Sequence, residues 1–159
     1  MMLSPPSVLP ARPPEVQLWV TLDRVYTQLS RNVTGKLSTM NLTAPQFRVL
    51  RQLSQSDTAP RTASELAAIL GVTPGNLTGI LDRLEHEGLL SRQRGQDRRS
   101  LQVAITPQGE ERMRRAVPEM HGHLRELFSG LNAAEVAQMK ALLERLELQL
   151  NSPAEEQSA

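Results

Sequence analysis

Between Thr62 and Gly88 the sequence reads TASELAAILGVTPGNLTGILDRLEHEG, and no other run narrows the possible folds as far. Thr62-Ala-Ser-Glu65 is a capping box, in which a hydroxyl and a carboxylate three residues apart satisfy each other's backbone amides at a helix start. Leu66, Ala67, Ile69 and Leu70 follow at helical spacing, and Gly71 is placed to take the left-handed conformation that ends a helix. This first helix spans only about two and a half turns. Thr73 can cap a second helix with Pro74 at its first position, and Leu77, Ile80, Leu81 and Leu84 form one apolar stripe until Gly88. Two short helices joined by a three-residue turn make a helix-turn-helix. The second helix keeps Gly75, Asn76, Thr78, Gly79, Asp82 and Arg83 on its polar, outward face.

The flanking elements follow from periodicity. Leu18, Trp19, Leu22, Val25, Tyr26, Leu29 and Val33 recur at three- and four-residue intervals, which predicts a helix over residues 16–38 with one buried stripe. Thr43-Ala-Pro-Gln46 is a second capping box, ahead of Phe47, Leu50 and Leu53. After the helix-turn-helix, Leu89 to Gln93 reads as a strand and Arg94 to Ser100 as a turn. Leu101, Val103 and Ile105 alternate with Gln102 and Ala104 as the returning strand. Thr106-Pro107 starts a long helix through about Leu127, in which Pro118 predicts a kink. Asn132-Ala-Ala-Glu135 caps a last helix carrying Val136, Met139, Leu142, Leu143, Leu146 and Leu150. The expected fold is mainly α with a small β-hairpin wing: a winged helix-turn-helix over 43–105, flanked by helices over 16–38 and 107–150, in one domain spanning 16–150. Residues 1–15, with five prolines before Val16, and residues 151–159 are expected to be tails.

At 159 residues the chain has one domain's worth of length, and a flat helical protein of this size often completes its core by pairing with a copy of itself. The absence of cysteine excludes disulfides, thiolate metal sites and thiol redox switches. No stretch approaches the ~18 apolar residues that span a bilayer, and the first residues lack a basic segment followed by an apolar run. A cytoplasmic protein without a membrane partner is expected. No Ser/His/Asp set, glycine-rich phosphate loop or metal motif is present, so neither an enzyme nor a cofactor is expected. His121 and His123 would point about 200° apart on a helix. No carboxylate or cysteine completes a metal site beside them.

The net charge is only +1, but it is unevenly placed. Residues 1–60 carry six basic and three acidic side chains, whereas residues 107–159 carry six basic and nine acidic. The expected hairpin concentrates Arg92, Arg94, Arg98 and Arg99 within eight residues. A guanidinium on a narrow hairpin suits the DNA minor groove, whose negative potential draws arginine inward, and Asp97 can fix one arginine through a bidentate pair. A helix fits the major groove, where Asn76 can read adenine, Thr78 a thymine methyl or a phosphate, and Arg83 a guanine edge or a phosphate. Gly75 and Gly79 permit close approach. Candidate contacts to double-stranded DNA are therefore Thr73, Gly75, Asn76, Thr78, Arg83, Arg94, Asp97, Arg98 and Arg99. The alternatives are a solvated polar surface, or a winged-helix module whose arginine hairpin meets an acidic protein partner.

The segments L-x-x-I-L-G-V-T, LTGILDRLEHEGLLSRQ and D-R-R-S-L-Q-V-A-I-T-P-Q-G together resemble the multiple antibiotic resistance regulator (MarR) family, over roughly Leu18 to Leu150. The resemblance implies a winged-helix homodimer that binds pseudo-palindromic promoter sites, usually as a repressor released by a small anionic or phenolic effector. Asp97 and Arg99 match the family's D-x-R wing pair, with the arginine entering the minor groove, and Arg83 matches the arginine of its D-R-L-E segment. Asn76 and Thr78 fall on the family's base-reading turn, while Gly79 departs from the larger, often basic residue common there. By the same resemblance, residues 16–38 and 107–150 would form the dimer interface. Trp19, Tyr26, Met40 and Phe47 would be candidates to line an effector pocket, against the plainer expectation that they are core.

Overall fold

A computed structural model describes residues 12–55, 61–94 and 101–152. In order these form α1 (Pro14–Thr39), α2 (Ala44–Ser54), β1 (Arg61–Thr62), α3 (Ala63–Leu70), α4 (Pro74–His86), β2 (Leu90–Arg94), β3 (Leu101–Ile105), α5 (Pro107–Leu127) and α6 (Ala133–Asn151). The expected mainly helical winged fold is what the chain adopts. Helix α1 starts at Pro14, two residues before the periodicity begins, because proline's missing N–H costs nothing in a first turn. Helix α5 continues through Pro118. A proline there leaves the carbonyl four residues earlier without its helical donor.

Caps set most helix starts. Thr43, Thr62 and Asn132 each complete a capping box, with Gln46, Glu65 and Glu135 returning the hydrogen bond to the cap residue's own N–H. Gly71 ends α3 at φ +62°, and Gly88 follows α4 at φ +70°, left-handed values that a side chain disfavours. Asn41 also takes a left-handed φ of +54°, in the turn between α1 and α2. Asparagine tolerates that region better than most residues.

The sheet has three antiparallel strands in the order β1-β3-β2, one more than the sequence suggests. Arg61 and Thr62 pair with Val103 and Gln102. Two residues carry no alternation to detect, so only the fold reveals this strand. Hairpin register sets Leu90 against Ile105, Arg92 against Val103 and Arg94 against Leu101.

The chain divides into two compact units, Met1–Met120 and His121–Ala159. The first holds the core: Leu50 and Leu53 of α2, Leu66 of α3, Leu77, Leu81 and Leu84 of α4, Leu89, Leu90 and Val103 at the hairpin, and Met113 and Ala116 of α5. Helix α1 gives this core only one buried residue, Leu37. Its expected buried stripe is present but largely uncovered: Leu22, Leu29 and Val33 are half-buried, whereas Trp19 is 68% and Tyr26 71% exposed. In the second unit α6 buries none of its residues, and Leu150 is 75% exposed.

Within the first unit, the end of α4, the base of the hairpin and the start of α5 meet at Thr106. Its N–H donates to the Leu89 carbonyl at 3.1 Å and its hydroxyl to the Gly88 carbonyl at 2.6 Å. The same hydroxyl accepts from the Gly109 N–H at 3.1 Å, capping α5. Gly109 must be glycine, since a Cβ would lie 2.1 Å from the Leu89 carbonyl oxygen. Because that neighbour is backbone and cannot rotate away, Gly109→Ala is expected to lower stability by about 3 kcal/mol or more, read as a fall in the urea midpoint.

Glu65 gives a second prediction. The Thr62 N–H first and its hydroxyl second hold the Glu65 pKa below the ordinary 4.5; desolvation opposes them, and Arg61 adds the weakest lowering influence. A carboxylate whose pKa is lowered by folding stabilises fully above its unfolded value, and that stabilisation is lost as pH falls through the folded one. Glu65→Gln keeps an acceptor without the charge. The melting-temperature gap between wild type and Glu65→Gln should therefore be widest above pH 4.5 and close as the pH is lowered further.

Candidate nucleic-acid interface

Helix α4 is held from below and presented above. Leu77, Leu81 and Leu84 are buried, whereas Thr73, Gly75, Asn76, Thr78, Gly79, Asp82 and Arg83 are all exposed. The 100° step of an α-helix makes this division follow from the sequence. Thr73 caps the helix by accepting from the Asn76 N–H at 3.4 Å, and Pro74 occupies the first turn. Thr78, exposed on this face, turns its hydroxyl back to the Pro74 carbonyl at 2.9 Å.

Among the described residues, nothing packed against this face calls for its two glycines. A Cβ added to Gly75 or Gly79 would meet no described atom within 4 Å. Glycine in a helix costs about 0.5–1 kcal/mol relative to alanine. The packing of α4 against the described residues therefore does not account for them.

Asn76 lies on the flank of α4 that faces α2. With Pro45, Arg48, Val49, Leu70, Val72 and Ile80 it lines an open cleft of about 270 Å³, in which Arg48 donates to the Leu70 carbonyl at 2.9 Å. Arg83 is exposed on the same helix, one to two turns further on. The opposite flank carries Asp82 and Glu85, one turn apart.

Strand β2 meets that acidic flank. Arg92 donates from Nη2 to Asp82 Oδ1 at 2.5 Å, and its Nε lies 3.4 Å from Glu85 Oε2, close enough for an ion pair but not aligned for a hydrogen bond. Its backbone N–H donates to Glu85 Oε1 at 3.1 Å. Sequence spacing places Arg92 among the wing arginines and gives it no separate role. The signal that could have found one is the acidic pair at i and i+3 on α4, followed seven residues later by an arginine in a strand.

The structure thus brings Thr73, Gly75, Asn76, Thr78 and Arg83 together on one exposed helix beside the hairpin. Arg94 ends β2 opposite Leu101, but its side chain, like Asp97, Arg98 and Arg99, lies outside the described residues. Of the side chains expected at an effector site, Trp19 and Tyr26 are exposed on α1, Met40 is half-buried just after it, and Phe47 is buried in the core. Among the described residues no group of three histidines, cysteines or carboxylates could hold a metal ion. No described helix is long and apolar enough to cross a membrane.

Comparison with known proteins gives this geometry a family. The MarR family model matches residues 42–101, the segment from the turn before α2 to the first residue of β3. An HTH-type transcriptional repressor of Mycobacterium bovis is 32% identical over 133 residues, covering 83% of this chain and 94% of the relative. Among solved structures, a mutant MarR of Escherichia coli in complex with operator DNA is 30% identical with a TM-score of 0.75, covering 82% of this chain and 94% of that one. A MarR-family protein of Mycobacterium tuberculosis in complex with DNA is 28% identical with a TM-score of 0.65, covering 86% and 98%. With the capped helix-turn-helix, the hairpin and the identity all in agreement, the chain belongs to the MarR family of winged-helix, DNA-binding transcriptional regulators.

Proposed function

We propose that the protein is a sequence-specific repressor that binds a pseudo-palindromic promoter site as a homodimer and is released by a small anionic or phenolic effector. The observation that carries the DNA-reading part is the exposed row Thr73, Gly75, Asn76, Thr78 and Arg83 on a helix anchored by three buried leucines. A rigid, leucine-anchored helix holds its polar side chains in a fixed array, which base readout requires. The glycines at 75 and 79, unneeded by packing against the described residues, fit a helix whose backbone comes close to an external surface. Asn76 and Thr78 read bases in the major groove, Thr73, Gly75 and Arg83 meet base edges or phosphate, and Arg94, Arg98 and Arg99 serve the minor groove, one of them held by Asp97. The M. bovis relative's description as a repressor and the E. coli structure with operator DNA support this reading.

Dimerisation is supported by apolar surface with no cover. Trp19 and Tyr26 on α1, and Leu142, Leu143, Leu148 and Leu150 on α6, expose side chains that a lone soluble chain would hide. A second copy can cover each face, and a two-fold dimer then sets its two α4 helices about 34–36 Å apart, one DNA turn. Sedimentation equilibrium is expected to give a dimer. Leu143→Glu should shift the protein to monomer and abolish tight operator binding together.

Anisotropy titrations against DNA from upstream of its gene and against a scrambled duplex test the DNA reading. Arg83→Ala and Arg99→Ala should weaken binding to both duplexes, and each should reduce the salt slope by about 0.9 per phosphate that is no longer neutralised. Asn76→Ala should weaken binding mainly at one base position, by about 1–3 kcal/mol. Equal weak binding of the wild type to both duplexes would instead favour a protein-docking role. Trp19 is the only tryptophan, so a change in its fluorescence on titration with 2-hydroxybenzoate tests the effector.

A further inference from the structure

Arg92 of the hairpin is bound to helix α4. Its side chain is only 16% exposed, and it is attached at three points to one face of α4: guanidinium to Asp82, Nε beside Glu85, and backbone N–H to Glu85. An arginine that reads DNA keeps its fork free for phosphate or guanine. This one is already engaged, and the group it forms with two carboxylates has a net charge of −1, which repels phosphate.

The attachment joins the two elements that must act together. Helix α4 is fixed by its own buried leucines, and β2 leaves its end through Leu89 and Leu90, both buried. Beyond that root, Arg92, the third residue of β2, ties the hairpin to α4 again. Arg92 also pairs across the ladder with Val103, so whatever fixes Arg92 fixes β3 as well. Two parts of a protein that enter adjacent grooves must keep a set angle, since a misplacement of about 1 Å spoils the geometry of both.

We propose that Arg92 is a positioning residue for DNA binding: through Asp82 and Glu85 it sets the angle between α4 and the hairpin, and it does not touch DNA itself. This rests on the reading of α4 and the hairpin as the DNA-binding pair. It assigns Asp82 and Glu85 a purpose that a DNA-facing helix otherwise lacks, since two unpaired carboxylates on that helix would oppose binding.

Asp82→Asn and Arg92→Ala, alone and combined, separate the possibilities when operator affinity is measured by anisotropy over a range of salt. By charge alone, Asp82→Asn removes a negative group near DNA and tightens binding. The positioning role predicts the reverse, a several-fold weakening. Arg92→Ala should weaken binding at least tenfold with an unchanged salt slope, Arg92→Lys should recover part of that affinity, and the double variant should be no weaker than Arg92→Ala alone. Hydrogen exchange of the β2 and β3 amides should quicken in each weakened variant while α1 keeps its protection, which distinguishes a loosened hairpin from an unfolded chain. Tighter binding by Asp82→Asn would show that the carboxylate acts by its charge alone, and a salt slope lowered by about 0.9 in Arg92→Ala would make Arg92 a phosphate ligand; either result overturns the proposal. Unchanged exchange in the strands would overturn it as well, whether or not the wild type prefers its operator. Loss of sequence preference in the wild type would count against the DNA reading alone.

Discussion

The fold depends on the hydrogen-bonded junction at Thr106. One side chain and one amide there close the base of the hairpin, satisfy the carbonyl of the glycine that follows α4, and start α5. The junction works only because Gly109 lets the α5 backbone approach the Leu89 carbonyl within the space a methyl group would occupy. A helix end, a strand pair and a helix start thus share one small volume. Directional bonds at this point add to the apolar packing of Leu84, Leu89, Leu90 and Met113 in relating the three elements.

A second polar group braces the same region. Gln46, the one polar residue buried among those described, returns a hydrogen bond to the Thr43 N–H and donates to Glu87 just past α4. Gln108 donates to the Glu87 carbonyl, and Arg112 reaches the carbonyl of Met40 at the end of α1. A buried amide of this kind is costly unless both ends are satisfied, and here both are. The Gln46 bonds relate the start of α2 to the end of α4, and the Gln108 bond does the same for the start of α5.

How much of this was legible in the sequence depended on range. The capping boxes at Thr43, Thr62 and Asn132, the left-handed Gly71 and the leucine stripe of α4 are local patterns, and each is formed as the spacing predicts. Strand β1 was invisible because two residues have no period, and its existence depends on β3, some forty residues away. The apolar stripes of α1 and α6 were legible as stripes, but not their exposure, since hydrophobic spacing reports that a face wants cover and not what covers it. At the candidate site, the outward residues of α4 could be named from helical geometry alone. The tie of Arg92 to Asp82 and Glu85 could not, because a run of arginines gives no sign of which one is already paired.

The bond from the Arg92 amide to Glu85 has a bearing on solubility. Among the described strands β2 is at the sheet edge, with β1 on the far side of β3, so no described strand pairs with its outer row of backbone donors and acceptors. An open edge invites pairing with a strand of another molecule. The donor at the middle of that edge is occupied by a carboxylate from the chain's own helix, with a guanidinium folded over it. An intermolecular ladder along β2 would have to break that bond before it could extend past its second residue. The same helix that faces outward therefore also guards the sheet against self-association.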